Sequence, residues 1–197
     1  MDRLSYGFVL GYHGCDREIG ESLINGARFK ASDNDFDWLG PGVYFWEANP
    51  LRGIEYAAES MKRKGSKIKE PFVVGAVIDL GVCLDLTTSL GIQIVKRGFE
   101  SLSRLNEEAR TPMPANTADR LRRRLDCAVV RRVHAIFEEE KFAPFDSIRG
   151  VFTEGDPAYA GAGFQEKTHI QIAVKNPGCI KGVFRVPDQH LVLPRVR

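Results

Sequence analysis

Tyr12-His13-Gly14 and Leu39-Gly40-Pro41-Gly42-Val43-Tyr44-Phe45 frame the stretch from 12 to 45, which decides how this chain is read. Tyr6 to Tyr12 is aromatic and β-branched, which predicts a strand that ends at the histidine. Glu18 to Asn25 places Ile19, Leu23 and Ile24 at helical spacing, and Gly26 follows as a cap. Gly26-Ala27-Arg28-Phe29 leads into a polar, Asp-rich loop from Ala31 to Trp38. The second motif is a glycine turn feeding a strand from Gly42 to Trp46. Tyr44 and Phe45 alternate along that strand, so one faces a core and the other a cleft.

Pro50 to Met61 reads as a helix with proline in its first turn and Ile54, Ala57, Ala58 and Met61 on one side. A basic loop, Lys62 to Glu70, carries Lys62, Lys64, Lys67 and Lys69. Phe72 to Leu80 is almost continuously apolar, the pattern of a buried strand, and Cys83 to Leu86 continues the pairing. From 89 to 143 the character changes. Ser89 to Ala109 and Thr117 to Lys141 are helical in pattern, split by Thr111-Pro112-Met113-Pro114, with Thr117 as the expected N-cap. Strands return at Asp146 to Phe152, Thr168 to Val174 and Lys181 to Val186. The Gly/Ala-rich loop Glu154 to Lys167 is of a length that is usually functional or disordered. Strands, a mostly helical insertion, then strands make an α+β layout.

The 197 residues, 43% of them hydrophobic, suffice for one core, so 1–197 is read as a single domain. A net charge of +2 excludes a chain that binds nucleic acid by overall charge alone. Cys15, Cys83, Cys127 and Cys179 form no CxxC pair, so no zinc site is expected and the cysteines read as reduced and cytoplasmic. The apolar run near Met1 is too short for a signal peptide, and no stretch reaches the roughly 18 apolar residues of a membrane helix.

With these motifs the chain resembles the ADP-ribosyltransferase superfamily, in its poly(ADP-ribose) polymerase and diphtheria-toxin-like branch. The residues that carry the resemblance are His13-Gly14, Gly26-Ala27-Arg28 and Gly40-Pro41-Gly42-Val43-Tyr44-Phe45, with the strands Val73–Leu80, Thr168–Val174 and Ile180–Val186. It covers about residues 6 to 86 and 146 to 187; the helical block has no counterpart. The resemblance implies a split antiparallel β-sheet core with NAD in the cleft between two small sheets. It implies cleavage of the nicotinamide–ribose bond through an oxocarbenium-like transition state. His13, next to Tyr12, would bond a ribose hydroxyl. Gly14 would offer backbone groups to the nicotinamide amide. Tyr44, leaving the Gly42 turn, would stack on nicotinamide, with Tyr56 as a second stacking ring. Arg28 would face the phosphates, although a solvated surface arginine is the plainer reading of that residue.

The family's late-strand glutamate is missing. The matching strand, Thr168 to Val174, puts His169 and Gln171 on one face, and neither is acidic. The nearby carboxylate is Glu166. Gln171 filling the place, Glu166 reaching in from the loop, and a site without a strong base all stay open. A plain solvent-facing edge strand also accounts for His169 and Gln171.

Arg120, Arg122, Arg123, Arg124, Arg131 and Arg132 are spread over the second predicted helix of the insertion, with Leu121, Leu125, Val129 and Ile136 as its apolar stripe. A surface helix packed on the core and a basic face toward RNA, DNA or an acidic partner are both consistent with it. The resemblance therefore implies NAD as substrate, a protein or nucleic-acid acceptor, and the style of an intracellular toxin with room for an inhibitory partner. Two alternatives are an NAD glycohydrolase and a non-catalytic module that binds NAD or ADP-ribose.

Overall fold

The computed structural model describes residues 7–119 and 121–192. Strand β1 (Phe8–Asp16) runs into helix α1 (Arg17–Ile24), followed by β2 (Val43–Glu47), α2 (Pro50–Met61), β3 (Pro71–Asp79) and β4 (Cys83–Asp85). Helices α3 (Ser89–Glu108) and α4 (Arg124–Glu139) form the insertion. The chain then closes with β5 (Ser147–Phe152), β6 (His169–Val174) and β7 (Ile180–Arg185). The expected α+β order holds. Among the described residues no helix is long and apolar enough to cross a membrane.

The strands form one seven-stranded sheet in the order β4-β5-β6-β2-β1-β3-β7. It is mixed, not purely antiparallel as expected, because β4 lies parallel to β5 through Cys83↔Ser147 to Asp85↔Arg149. A parallel pair needs a long crossover, and the α3–α4 insertion supplies it. The sheet is nearly divided in the middle. β1 pairs with β3 over its whole length, from Phe8↔Asp79 to Asp16↔Pro71. It meets β2 only at Gly11↔Glu47 and Tyr12↔Trp46.

β1 also corrects the sequence reading. It does not stop at Tyr12, so His13 and Gly14 lie within a strand. The β3 partner extends the ladder until Asp16 caps α1 by accepting the Glu18 N–H at 3.1 Å. Tyr6 lies outside the described residues. A second correction falls on the insertion. Thr117 caps no helix: its Oγ1 accepts the Arg122 N–H at 3.0 Å and closes a turn, and α4 begins only at Arg124. Local side-chain bonding of this kind competes with helix formation.

The two faces of the sheet are packed differently. On one, Val43, Phe45, Ala76, Ile78, Ile172 and Val174 form an apolar cluster. On the other, α4 lays Val130 and Val133 on Trp38, Leu39, Ile148 and Ala173, while α2 crosses β1. Gly14 makes that crossing possible: a Cβ there would stand 2.1 Å from the Gly53 carbonyl oxygen. Only glycine permits such an approach.

Candidate functional site

β1 and β2 part immediately after the Tyr12–Trp46 pair, and His13 bridges the gap. Its Nδ1 lies 2.9 Å from the Tyr44 carbonyl oxygen. A carbonyl only accepts, so Nδ1 carries the proton and Nε2 presents its lone pair. The ring sits edge-on to Phe29 (5.4 Å) and near Phe45 (5.8 Å). Burial pushes the imidazole below its usual pKa, against the opposing effect of the Tyr44 carbonyl. Beside it, the Leu10 carbonyl accepts the Ala48 N–H across the β1–β2 seam at 2.9 Å. Backbone groups alternate in direction along a strand, so the Gly14 N–H and C=O point the same way, into the gap.

The opposite face of β2 carries an aromatic row. Tyr56 of α2 lies 4.8 Å from Trp46, Trp46 lies 6.2 Å from His169, and His169 stacks on Phe152 at 5.4 Å. The Arg123 guanidinium covers Phe152 and Trp38. Next to the row lies a charged cluster. Arg52, presented inward by α2, donates from Nη2 to Glu59 (3.1 Å) and to Glu154 (3.0 Å). Lys167 donates to the other Glu59 oxygen at 2.9 Å. These bonds tie both ends of the 153–168 loop to α2.

This face holds buried polar atoms that lack hydrogen-bond partners among the described residues. They are Trp46 Nε1, Arg52 Nε and Nη1, and His169 Nε2. Their residues are only 4%, 4% and 6% exposed. A buried unmet donor or acceptor costs about 1–3 kcal/mol, so these atoms are placed to take up a water or a polar ligand. His169 Nδ1 bonds the Lys167 carbonyl, which leaves Nε2 as an acceptor. Burial lowers the pKa of this ring too.

The residues singled out in the sequence are therefore divided. Tyr12, Tyr44, Tyr56, His169 and Gln171 lie on the α2 side of the sheet, where Gly14 also meets α2, whereas His13 lies on the other. Tyr12 is buried against the edge of Phe184. The Tyr44 hydroxyl donates to the Gly40 carbonyl at 2.9 Å and accepts the Leu39 N–H at 3.0 Å, so it closes the glycine turn. Burial pushes that phenol well above its usual pKa. Gly42 pairs with Ser32 across the mouth of the same turn. The Gln171 side-chain oxygen accepts from Trp38 Nε1 at 2.6 Å. Glu166 and Arg28 are exposed, and Arg28 flanks the Phe29 that packs on His13.

Arg52, Trp46 and Glu154 were missed as site residues. A charged residue on the inward side of α2, and a glutamate opening a long loop, were the available signals. The arginine run is largely neutralised from within. Arg124 pairs with Asp35 at 2.8 Å, Arg131 with Asp33 at 2.5 Å and Arg132 with Glu139 at 2.6 Å. Arg120 lies outside the described residues. Among the described residues no group of three His, Cys, Asp or Glu could hold a metal. None of the cysteines is in a disulfide, and burial pushes the Cys15 and Cys83 thiols up to about 12 and about 11, so neither is a poised nucleophile.

No family model matches the chain, and no solved structure matches it. The uncharacterized protein MJ0359 of Methanocaldococcus jannaschii is 23% identical over 201 residues, covering 90% of this chain and 87% of that protein.

Proposed function

We propose that this chain is an NAD-dependent ADP-ribosyltransferase, acting in the cytoplasm, that breaks the nicotinamide–ribose bond and passes ADP-ribose to a protein or nucleic acid. The observation that carries the reading is the parting of β1 and β2 at His13-Gly14. It opens the sheet where a dinucleotide would be clamped, and it presents there one imidazole of fixed tautomer and a strand of backbone donors and acceptors. His13 Nε2 accepts a ribose hydroxyl, and the Gly14 backbone pairs with the nicotinamide amide. Tyr56, packed at a tilt against Trp46, supplies an aromatic face. Tyr44 holds the glycine turn and, through its carbonyl, the His13 ring. Arg28 reaches the phosphates from its exposed place beside Phe29.

A second reading, hydrolysis of NAD with water as acceptor, is favoured by the 153–168 loop. Two ion pairs hold both ends of that loop to α2, beside the aromatic row, which leaves less room for a large acceptor.

The test is nicotinamide release from NAD by the purified protein, with and without cell lysate. Tyr56→Ala and His13→Asn are the comparison variants, and each is checked for folding by circular dichroism. Release that falls about 100-fold in both variants supports the NAD site. Labelling of lysate macromolecules identifies a transferase, and free ADP-ribose alone identifies a hydrolase. A folded wild type that neither binds NAD nor releases nicotinamide overturns the proposal.

A further inference from the structure

We propose that a cleft at the C-terminal end of α4 binds a flat-ringed small molecule carrying one negative charge. The cleft lies beside the insertion, and none of its lining residues belongs to the site described above. The inference is therefore independent of the NAD reading. The cleft has a volume of about 410 Å³, within the roughly 300–1,000 Å³ of small-molecule sites.

The cleft is built by the last turn of α4. Val130 and Val133 are used on the core. His134, Phe137 and Glu138 follow at the three- and four-residue spacing that aligns side chains on one side of a helix, and Lys141 comes one turn later. The Lys141 N–H closes on the Glu138 carbonyl at 3.1 Å and the Phe142 N–H on the Phe137 carbonyl at 2.8 Å, so these helix-end carbonyls are occupied. Lys141 stands at a φ of 58°, at a position where glycine is usual. Phe142 folds back and its ring meets Phe137 edge to face at 5.4 Å. Even so, 58% of Phe142 stays exposed, beside Pro144. Lys175, at the exit of β6, completes the wall, with its backbone N–H fixed on the Asp146 carbonyl at 2.8 Å.

The charges in the cleft do not cancel. Lys175 Nζ lies 3.3 Å from His134 Nδ1. An ammonium only donates, so Nδ1 accepts and the imidazole proton sits on Nε2. Burial, and then the charge of Lys175, hold this ring down at about 4, so it is neutral near pH 7. Lys175 thus has an uncharged partner, Lys141 has none, and neither pairs with Glu138 among the described residues. Two cations and one carboxylate leave a net charge of +1. Arg131 and Arg132 of the same helix, by contrast, each have a carboxylate partner. One negative charge at Lys141 and Lys175 balances the cleft, and Phe137, Phe142 and Pro144 offer the apolar wall on which a flat ring packs. Lysines act as point charges, so a carboxylate and a phosphodiester both suit them.

The experiment is isothermal titration calorimetry of the full chain at low salt. The ring anions are 3′,5′-cyclic AMP and indole-3-acetate; adenosine is a ring without charge, and acetate a charge without a ring. At least one ring anion is expected to bind with a Kd below about 1 mM, and adenosine and acetate about tenfold more weakly. Which ring anion binds tells a phosphodiester site from a carboxylate site. Lys141→Gln, Lys175→Gln and Phe142→Ser, each checked for folding by circular dichroism, should weaken binding about fivefold or more. Lys64→Gln, an exposed lysine of the basic loop, should stay within about twofold of wild type. Absence of binding by both ring anions at about 10 mM overturns the proposal. So does acetate or adenosine binding as tightly as the ring anions, or unchanged affinity in the folded cleft variants.

Discussion

The two faces of the sheet at β2 are built on opposite principles. On the Phe45 face, Val43, Phe45, Ile172 and Val174 close over one another, and the one polar ring nearby, His13, is held by a backbone carbonyl. On the Trp46 face, two residues of equal burial, Trp46 and Arg52, keep polar atoms without hydrogen-bond partners among the described residues. A chain with no use for the second face would gain stability by making it apolar. Retaining it is the usual mark of a site where function is kept at a cost in stability.

Substitutions should separate the faces. Phe45→Ala, with Phe45 fully buried in the apolar cluster, should cost about 3–5 kcal/mol in urea denaturation. A loss under about 1 kcal/mol would mean that this face is not the core. Gly14→Ala should cost about 1–3 kcal/mol, because its methyl meets the backbone of α2 and not a movable side chain. An unchanged thermal midpoint would show that α2 does not press on β1.

Acid is the condition under which the faces behave alike. His13 and His169 both have depressed pKa values through burial. Above about pH 6.5 both rings are neutral in the folded and unfolded chains, and the full stability is present. As pH falls below that, the unfolded chain takes up protons that the folded chain refuses, so stability drops until the depressed folded values are passed. His13→Gln and His169→Gln should each flatten the fall of urea midpoint between pH 7 and pH 5. A slope unchanged in both would place the linkage elsewhere, with His134, held down at about 4, next in line.

Trp46→Phe sharpens the contrast most directly. Removing an unmet buried N–H should leave stability unchanged or raise it by up to about 1 kcal/mol while nicotinamide release falls. A clear loss of stability without loss of activity would make Trp46 an ordinary core residue. The smallest effect is expected for Arg131→Ala. Its exposed pair with Asp33 should contribute no more than about 0.5 kcal/mol, read as a thermal shift near the limit of detection.

The fold class and most elements were legible in the chain because their signals are local. The apolar run through Val73, Val74 and Ile78 announced a buried strand, and the helical spacing of Ile54 and Ala57 announced α2. Element boundaries were less legible. β1 runs past Tyr12 because β3 pairs with it that far, and pairing is a property of two segments at once. Thr117 read as a cap because its residue type suits one, yet a turn to Arg122 took its hydroxyl first.

The site divides in the same way. Sequence alone singled out His13, Gly14 and Tyr44, which lie in short motifs, and Tyr56 one helix later. Only the tertiary structure decided that His13 and Tyr44 project to opposite faces, that Gly14 is pressed against α2, and that Arg52 pairs with Glu154 on the face that carries Trp46. Those three come from a helix, a strand and a loop with unrelated local patterns. Their partnership is set by the order of strands in the sheet and by what burial leaves each polar atom to bond with, neither of which a linear spacing contains.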